Sequence, residues 1–283
     1  MTPIPKCAIP TCAIGVMAKA PRPGFSKTRL CPPLDPEQAA DLSAAFLRDT
    51  SENIALAAQQ TPIAGYIAYA PAGHESLFDG HLAAGTKLVL ADGSAPMPPQ
   101  VQGFGRCLLH AIQALLAIGH RTAIVLNADG PTLPNAVLVQ AAALLANQPD
   151  RIVLGPAEDG GYYLLGMNAA HAPLFTDIAW STDTVAEITR LRARQSGLQV
   201  IELPSWYDVD DQQGLNRLLQ ETTLDGSMRP TTPATTRSHP APNGLDNPDL
   251  PPYPAPFTAR ALTRMGLRAP DMGRAPDMDR TAE

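Results

Sequence analysis

The sequence predicts an α/β protein, a three-layer α/β/α sandwich around a mostly parallel sheet, followed by a disordered C-terminal tail. Two observations carry this expectation. Through residues 1–221 short apolar runs alternate with Ala/Leu-rich stretches of ten or more residues, the pattern of repeated βαβ units. At Thr222 the composition changes: from there to Glu283 the chain holds 11 of its 30 prolines and no Val, Ile, Trp, Cys or Lys. A segment without β-branched aliphatics cannot bury enough surface to offset its chain entropy.

The elements follow in order. Cys12–Ala18 is a short apolar run ending in a Pro/Gly-shaped loop, which reads as a buried strand. Asp35-Pro36-Glu37-Gln38 supplies an N-cap, a proline at the first helical position and Gln at the capping-box position, so a helix runs from there to about Gln60. Ile63–Tyr69 and Lys87–Leu90 read as strands, Gly105–Ile118 as a helix stopped by Gly119, and Thr122–Leu126 as the clearest buried strand. Pro134–Asn147 is helical, Ile152–Leu154 and Tyr162–Leu165 are strands, and Thr182–Gln195 is a helix that Gly197 ends. Leu198–Leu203 and Asp211–Gln220 complete the body as a strand and a helix. Within the tail, Phe257–Leu267 has the spacing of a brief amphipathic helix, and RAPDM occurs at Arg268–Met272 and again at Arg274–Met278.

Composition excludes several function classes. The formal net charge is −6, and the tail carries seven Arg against seven Asp plus Glu, so the whole excess belongs to residues 1–221. An acidic chain without a basic run is a poor binder of nucleic acid or of an anionic membrane, because such affinity comes from Lys and Arg neutralising phosphates. The four cysteines form no CxxC pair and have no His at zinc-ligand spacing. No signal peptide and no apolar run of membrane-spanning length is read from the sequence, so the expected setting is the cytoplasm.

Ligands of open α/β sheets bind at the carboxyl ends of the strands, and four loops lie there. Lys19–Leu30 (KAPRPGFSKTRL) gathers Lys19, Arg22, Lys27 and Arg29, two of only four lysines, in a loop suited to a phosphate or diphosphate. It matches neither the P-loop nor the G-x-G-x-x-G spacing. Asn127-Ala128-Asp129-Gly130-Pro131 ends the clearest strand. Asp129 is placed there either to hold Mg²⁺ or Mn²⁺ with a substrate's phosphates or to organise an Asx-turn. Gly155–Gly166 (GPAEDGGYYLLG) reads as a β-hairpin or as a glycine-lined wall, with Asp159 on a hydroxyl or a metal and Tyr162 or Tyr163 stacking. Trp206–Asp211 (WYDVDD) packs three carboxylates into four residues, which repel one another unless a cation or solvent intervenes. Asp210 also suits the N-cap of the last helix; Asp208 does not. At Trp180-Ser181-Thr182, Ser181 suits a helix cap, and Trp180 is either core or a stacking wall for a sugar.

Taken together, K-x-P-x-x-G-x-x-K-T-R-L (Lys19–Leu30), Asp129-Gly130-Pro131, G-P-A-x-D-G-G-Y-Y (Gly155–Tyr163), Trp180-Ser181-Thr182 and Asp208-Val209-Asp210 resemble a bacterial family of GT-A-fold transferases. That family belongs to the nucleotide-diphospho-sugar transferase superfamily and is described as radical-SAM-associated or arsenosugar-biosynthesis glycosyltransferases. The resemblance spans residues 12–220 and leaves the tail out. The K…K-T-R-L loop also looks like that of 2-phospholactate guanylyltransferases and, more distantly, of molybdenum-cofactor guanylyltransferases. Relatives commonly have Gly-Ser-Asp where this chain has Asn127-Ala128-Asp129.

The resemblance implies a metal-dependent glycosyltransferase that moves a sugar from a nucleotide-diphosphate donor to a small acceptor. The alternative is a nucleotidyltransferase acting on a nucleoside triphosphate and a phosphorylated acceptor, and a third reading is a nucleotide-binding protein without catalysis. Lys19, Gly24, Lys27, Thr28 and Arg29 would bind the nucleotide phosphates. Asp129, with Asp208 or Asp210, would hold Mg²⁺ or Mn²⁺. Asp129, Asp159 and Asp208 would be the catalytic carboxylates, with Asp159 orienting or deprotonating the acceptor, and Gly160, Gly161, Tyr162, Trp180 and Ser181 would line the acceptor or sugar site. The expected partners are small molecules only.

Overall fold

A computed structural model describes residues 11–146, 148, 150–223 and 250–267. Seven strands form one sheet in the order β3-β2-β1-β4-β6-β5-β7. They are β1 (Cys12–Lys19), β2 (Ile63–Ala70), β3 (Lys87–Leu90), β4 (Thr122–Leu126), β5 (Arg151–Pro156), β6 (Tyr162–Met167) and β7 (Gln199–Glu202). Only β6 runs against the rest, pairing antiparallel with β4 and with β5. The β5–β6 connection is therefore a hairpin, while the parallel pairs are joined by crossovers.

Strand parity sends alternate side chains to two apolar layers. Cys12, Ile14 and Val16 of β1 face a core built with α1 (Pro36–Ala57) and α3 (Asn135–Ala146). Ala13 and Met17 face the opposite core, built with α2 (Phe104–Ala117) and α4 (Val185–Gln195). Between them Gly15 leaves room for α2, since a Cβ there would stand 2.9 Å from Leu115 Cδ1. The α/β/α expectation is met.

The helix starts are explained locally. Asp35 and Gln38 form the full capping box: Gln38 N–H donates to the Asp35 carboxylate and the Gln38 side chain accepts from Asp35 N–H. The helix expected from Thr182 begins instead at Val185. Ser181 takes a left-handed backbone (φ 64°), and Thr184 occupies the N-cap position. Asp211, not Asp210, caps α5 (Gln212–Thr223), its carboxylate accepting from Gly214 N–H at 2.8 Å. Asp210 is left for other work.

The segment after Thr222 requires a correction. Residues 224–249 and 268–283, which include the RAPDM repeat, lie outside the described residues, but 250–267 pack onto the body. Helix α6 (Pro256–Arg264) lies on α1 and buries Leu262 in a third apolar cluster with Leu30, Leu42, Phe46, Tyr207, Val209 and Leu215. Its first turn is capped from another helix, because Asp49 of α1 accepts the Phe257 and Thr258 N–H groups. Ahead of it, Tyr253 N–H donates to Thr132 O at 2.9 Å. Composition predicted no packing here; one leucine, small neighbours and a buried cap supply it. Among the described residues, no helix is long and apolar enough to cross a membrane.

Candidate active site

Three loops expected to carry chemistry meet at the carboxyl edge of the sheet. After β1, Ser26 pins its own loop by accepting from Arg22 N–H (3.0 Å) and donating to Ala20 O (3.4 Å). Lys27 follows in a left-handed backbone conformation (φ 50°, ψ 36°) and opens the 3-10 turn Thr28–Leu30. After β4, Asn127 N–H is held by Tyr163 O at 2.8 Å, which sets the start of the Asp129 loop. The third loop follows β7. Trp206 N–H donates to Pro156 O, and Val209 N–H donates to Asp129 O at 2.9 Å.

These anchors bring Lys27 into contact with both acidic loops. Its ammonium donates to the carboxylates of Asp129 and Asp210, the latter at 3.0 Å, and to the Val209 carbonyl at 2.9 Å. The Lys27 side chain is only 8 % exposed, and its ammonium lies over the Phe46 ring, 5.3 Å from the centroid. Burial pulls the Lys27 pKa down, but Asp129 and Asp210 outweigh it and the net shift is upward, so the group stays charged.

Asp208 faces the same region from a drier position. Its carboxylate accepts from Asn127 Nδ2 at 2.8 Å. Burial pushes its pKa up to about 7, and the charges of Asp129, Asp159 and Asp210 add to the rise against the Asn127 hydrogen bond. Four carboxylates thus share one neighbourhood with a single buried ammonium.

Asp129, Asp210 and Lys27 line a cleft of about 380 Å³ together with Lys19, Thr28, Arg29, Phe25, Phe104, Cys107 and Ser43. Lys19, Thr28 and Arg29 are exposed on its wall. Of the residues expected on phosphates, these three line the cleft. Lys27 lines it too but engages carboxylates. Gly24 (φ 75°) forms the turn beneath and does not line the cleft. Arg22 instead lies over the Phe25 ring at 4.5 Å. A larger cavity of about 770 Å³ lies between α1, His81 and α6, and none of the expected site residues lines it.

The acceptor residues are placed differently from expectation. Tyr162 and Tyr163 are successive on β6, so parity sends one into each apolar layer, with Tyr163 Oη donating to Pro204 O. Neither ring faces the cleft as a stacking surface. Gly160 (φ 91°) is pressed against α4: a Cβ there would come within 2.1 Å of Asp183 O. Asp159 closes an Asx-turn by accepting Gly161 N–H at 2.9 Å, yet it stays close enough to raise the Asp208 pKa. Trp180 donates to Gln102 O and meets Phe104 edge-on at 5.8 Å, and Phe104 is the one that reaches the cleft. Gly161, Trp180 and Ser181 are absent from the cleft lining. Sequence reasoning missed Phe25, Phe104 and the Val209 carbonyl. The first two are among the most exposed large apolar side chains (66 % and 49 %), a property no local pattern reveals.

With this geometry in place, the comparisons can be stated. A family model described as "Uncharacterized protein conserved in bacteria (DUF2064)" matches residues 53–182. A crystal structure from Desulfovibrio desulfuricans G20, provisionally described as a nucleotide-diphospho-sugar transferase, is 26% identical. It matches with a TM-score of 0.65 over 76% of this chain and 89% of that one. The chain has the nucleotide-diphospho-sugar transferase fold. Looser likenesses are to the nucleotidyl transferase Mth528 of Methanothermobacter thermautotroptrophicus (14% identity, TM-score 0.45, 74% and 95% covered) and to Rv0371c of Mycobacterium tuberculosis H37Rv in complex with manganese (17% identity, TM-score 0.36, 74% and 98% covered). No curated protein matches the sequence.

Proposed function

We propose that this chain is a nucleotide-dependent transferase that moves a sugar from a nucleotide-diphosphate donor to a small acceptor. The observation that carries the reading is the meeting of Lys27 with Asp129 and Asp210, 102 and 183 residues away in sequence, at the mouth of a cleft walled by Lys19 and Arg29. Cations and carboxylates lining one cleft suit a diphosphate bound with a divalent ion. The D. desulfuricans relative supports the reading through its fold and its description.

The residues present fit Mg²⁺ or Mn²⁺. All candidate donors are hard oxygens, and two carboxylates, Asp129 and Asp210, line the cleft around a single buried ammonium. Among the described residues no three His, Cys, Asp or Glu side chains form a ready-made metal cage. Mg²⁺ is commonly held by one or two carboxylates and completed by substrate phosphates. Asp129 and Asp210 would hold it, with Asp208 behind them; when bound, it would stabilise charge developing on the departing diphosphate. Lys19, Thr28 and Arg29, exposed in the same cleft, would grip the phosphates.

The second reading, nucleotidyl transfer, is favoured by the Lys27-Thr28-Arg29-Leu30 loop, which places Thr28 and Arg29 on the cleft as a triphosphate would require. One experiment separates the two. The full chain is incubated with Mg²⁺ or Mn²⁺ and a panel of sugar nucleotides and nucleoside triphosphates. Release of nucleoside diphosphate from one sugar nucleotide supports sugar transfer, and pyrophosphate release that needs a phosphorylated acceptor supports the alternative. Nucleotide binding without turnover would reject both.

A further inference from the structure

We propose that Lys27 is the resting counter-ion of the carboxylate pair Asp129–Asp210, and that it must pass to the ligand's phosphate before a divalent cation can bind there. The identity of the ligand rests on the transferase reading; the exchange itself does not.

An ammonium group has three N–H donors and no acceptor. All three are used here, by Asp129, by Asp210 at 3.0 Å and by the Val209 carbonyl at 2.9 Å. With the side chain 8 % exposed, solvent supplies little in exchange. Lys27 therefore has no donor to spare for a phosphate as it stands, and it reaches one only by giving up a carboxylate.

The same contacts block a metal ion. A divalent cation entering between Asp129 and Asp210 would stand within a few ångströms of the ammonium, where repulsion is poorly screened. The two cations are alternatives at one place. An incoming diphosphate resolves the conflict, because it offers oxygens to Lys27 while freeing carboxylate oxygens for the metal. The left-handed backbone at Lys27 (φ 50°, ψ 36°) is costly for a side chain larger than glycine. The hold on the aspartates is thus kept at a cost in backbone conformation. Metal and diphosphate then each raise the other's affinity, a reciprocity that linkage requires.

Equilibrium dialysis of Mn²⁺ against the full-length protein, with and without inorganic pyrophosphate, tests the exchange without any turnover. Lys27→Met should retain Mn²⁺ alone at least about tenfold more tightly than the unaltered protein. Lys19→Met, which removes a cleft charge that does not touch the aspartates, should change retention less than about threefold. Pyrophosphate should raise Mn²⁺ retention strongly in the unaltered protein and only slightly in Lys27→Met. Lys27→Gln carries the same expectation should Lys27→Met fail to fold, with a cooperative melt as the check. Equal Mn²⁺ affinity of the unaltered protein and the Lys27 variant overturns the proposal. So does an equal gain from Lys19→Met, or no retention by any form. A protein that shows the exchange but no transfer in the panel assay would refute the transferase reading alone.

Discussion

The Asp49 carboxylate, fully buried in α1, accepts the backbone N–H groups of Phe257 at 3.1 Å and Thr258 at 2.6 Å. One side chain thereby satisfies two of the donors that a helix start leaves unpaired. Asp49→Ala is expected to lose about 1–3 kcal/mol of stability, because those donors stay buried without a partner. The check is a denaturant melt combined with hydrogen exchange at residues 256–264, where protection should fall first. Asp49→Asn, which keeps an acceptor, should recover part of the loss.

Deleting residues after 249 should reach the site itself. Leu262 shares a cluster with Leu30, Phe46 and Val209, whose neighbours include Lys27 and Asp210, and Tyr253 holds the loop after Asp129 through Thr132. The deletion is expected to lower the melting temperature and increase exchange at residues 127–133 and 206–211. Unchanged exchange there would show that α6 supports only α1.

Asp129→Asn should reduce turnover by about a hundredfold or more while the fold persists, since a neutral amide holds neither the cation nor the Lys27 charge. Circular dichroism and the panel assay together read this outcome. Lys19→Met should weaken nucleotide affinity by roughly tenfold through the loss of one charge-assisted phosphate contact. That effect should shrink at high salt.

Stability should depend on pH through Asp208. Its folded pKa of about 7 lies above the ordinary carboxylate range, so the folded chain binds this proton more tightly than the unfolded one. The sign follows: stability is greater at low pH and falls as pH rises through that interval. Asp208→Asn should flatten the melting-temperature decline between about pH 4 and about pH 7. A decline of unchanged size in the variant would remove Asp208 as its source.

Gly160→Ala should act as a folding variant. A Cβ there meets Asp183 backbone within 2.1 Å, at a φ of 91° that side chains rarely adopt. The expected loss is about 1–3 kcal/mol from the backbone conformation alone, before the clash. Ligand affinity at low temperature, measured by calorimetry, should change little if Gly160 is a packing residue.

Much of the fold could be read in advance because its signals are local. The Asp35–Gln38 capping box, the Thr122–Leu126 run and the Asp159-Gly160-Gly161 turn each declare their own element. The convergence of Lys27, Asp129 and Asp210 followed from a topological rule about strand ends. What Lys27 touches did not follow, because a lysine's partner depends on where a loop 183 residues away arrives. The tyrosines misled for a simpler reason. Two successive aromatic residues suggest a stacking surface, but on a strand covered on both faces parity buries one in each layer. The spacing of Phe257–Leu267 predicts a helix but not its docking, because composition averages over a segment, whereas the docking uses one leucine and a cap borrowed from α1.

That borrowed cap also bears on how the chain assembles. The Asp49–Thr258 contact joins positions 209 residues apart, so its closure entropy is large and cannot be recovered until the intervening strands are in register. On a ribosome, Asp49 emerges long before the helix it caps. The nascent sandwich must therefore hold this carboxylate unpartnered until α6 arrives.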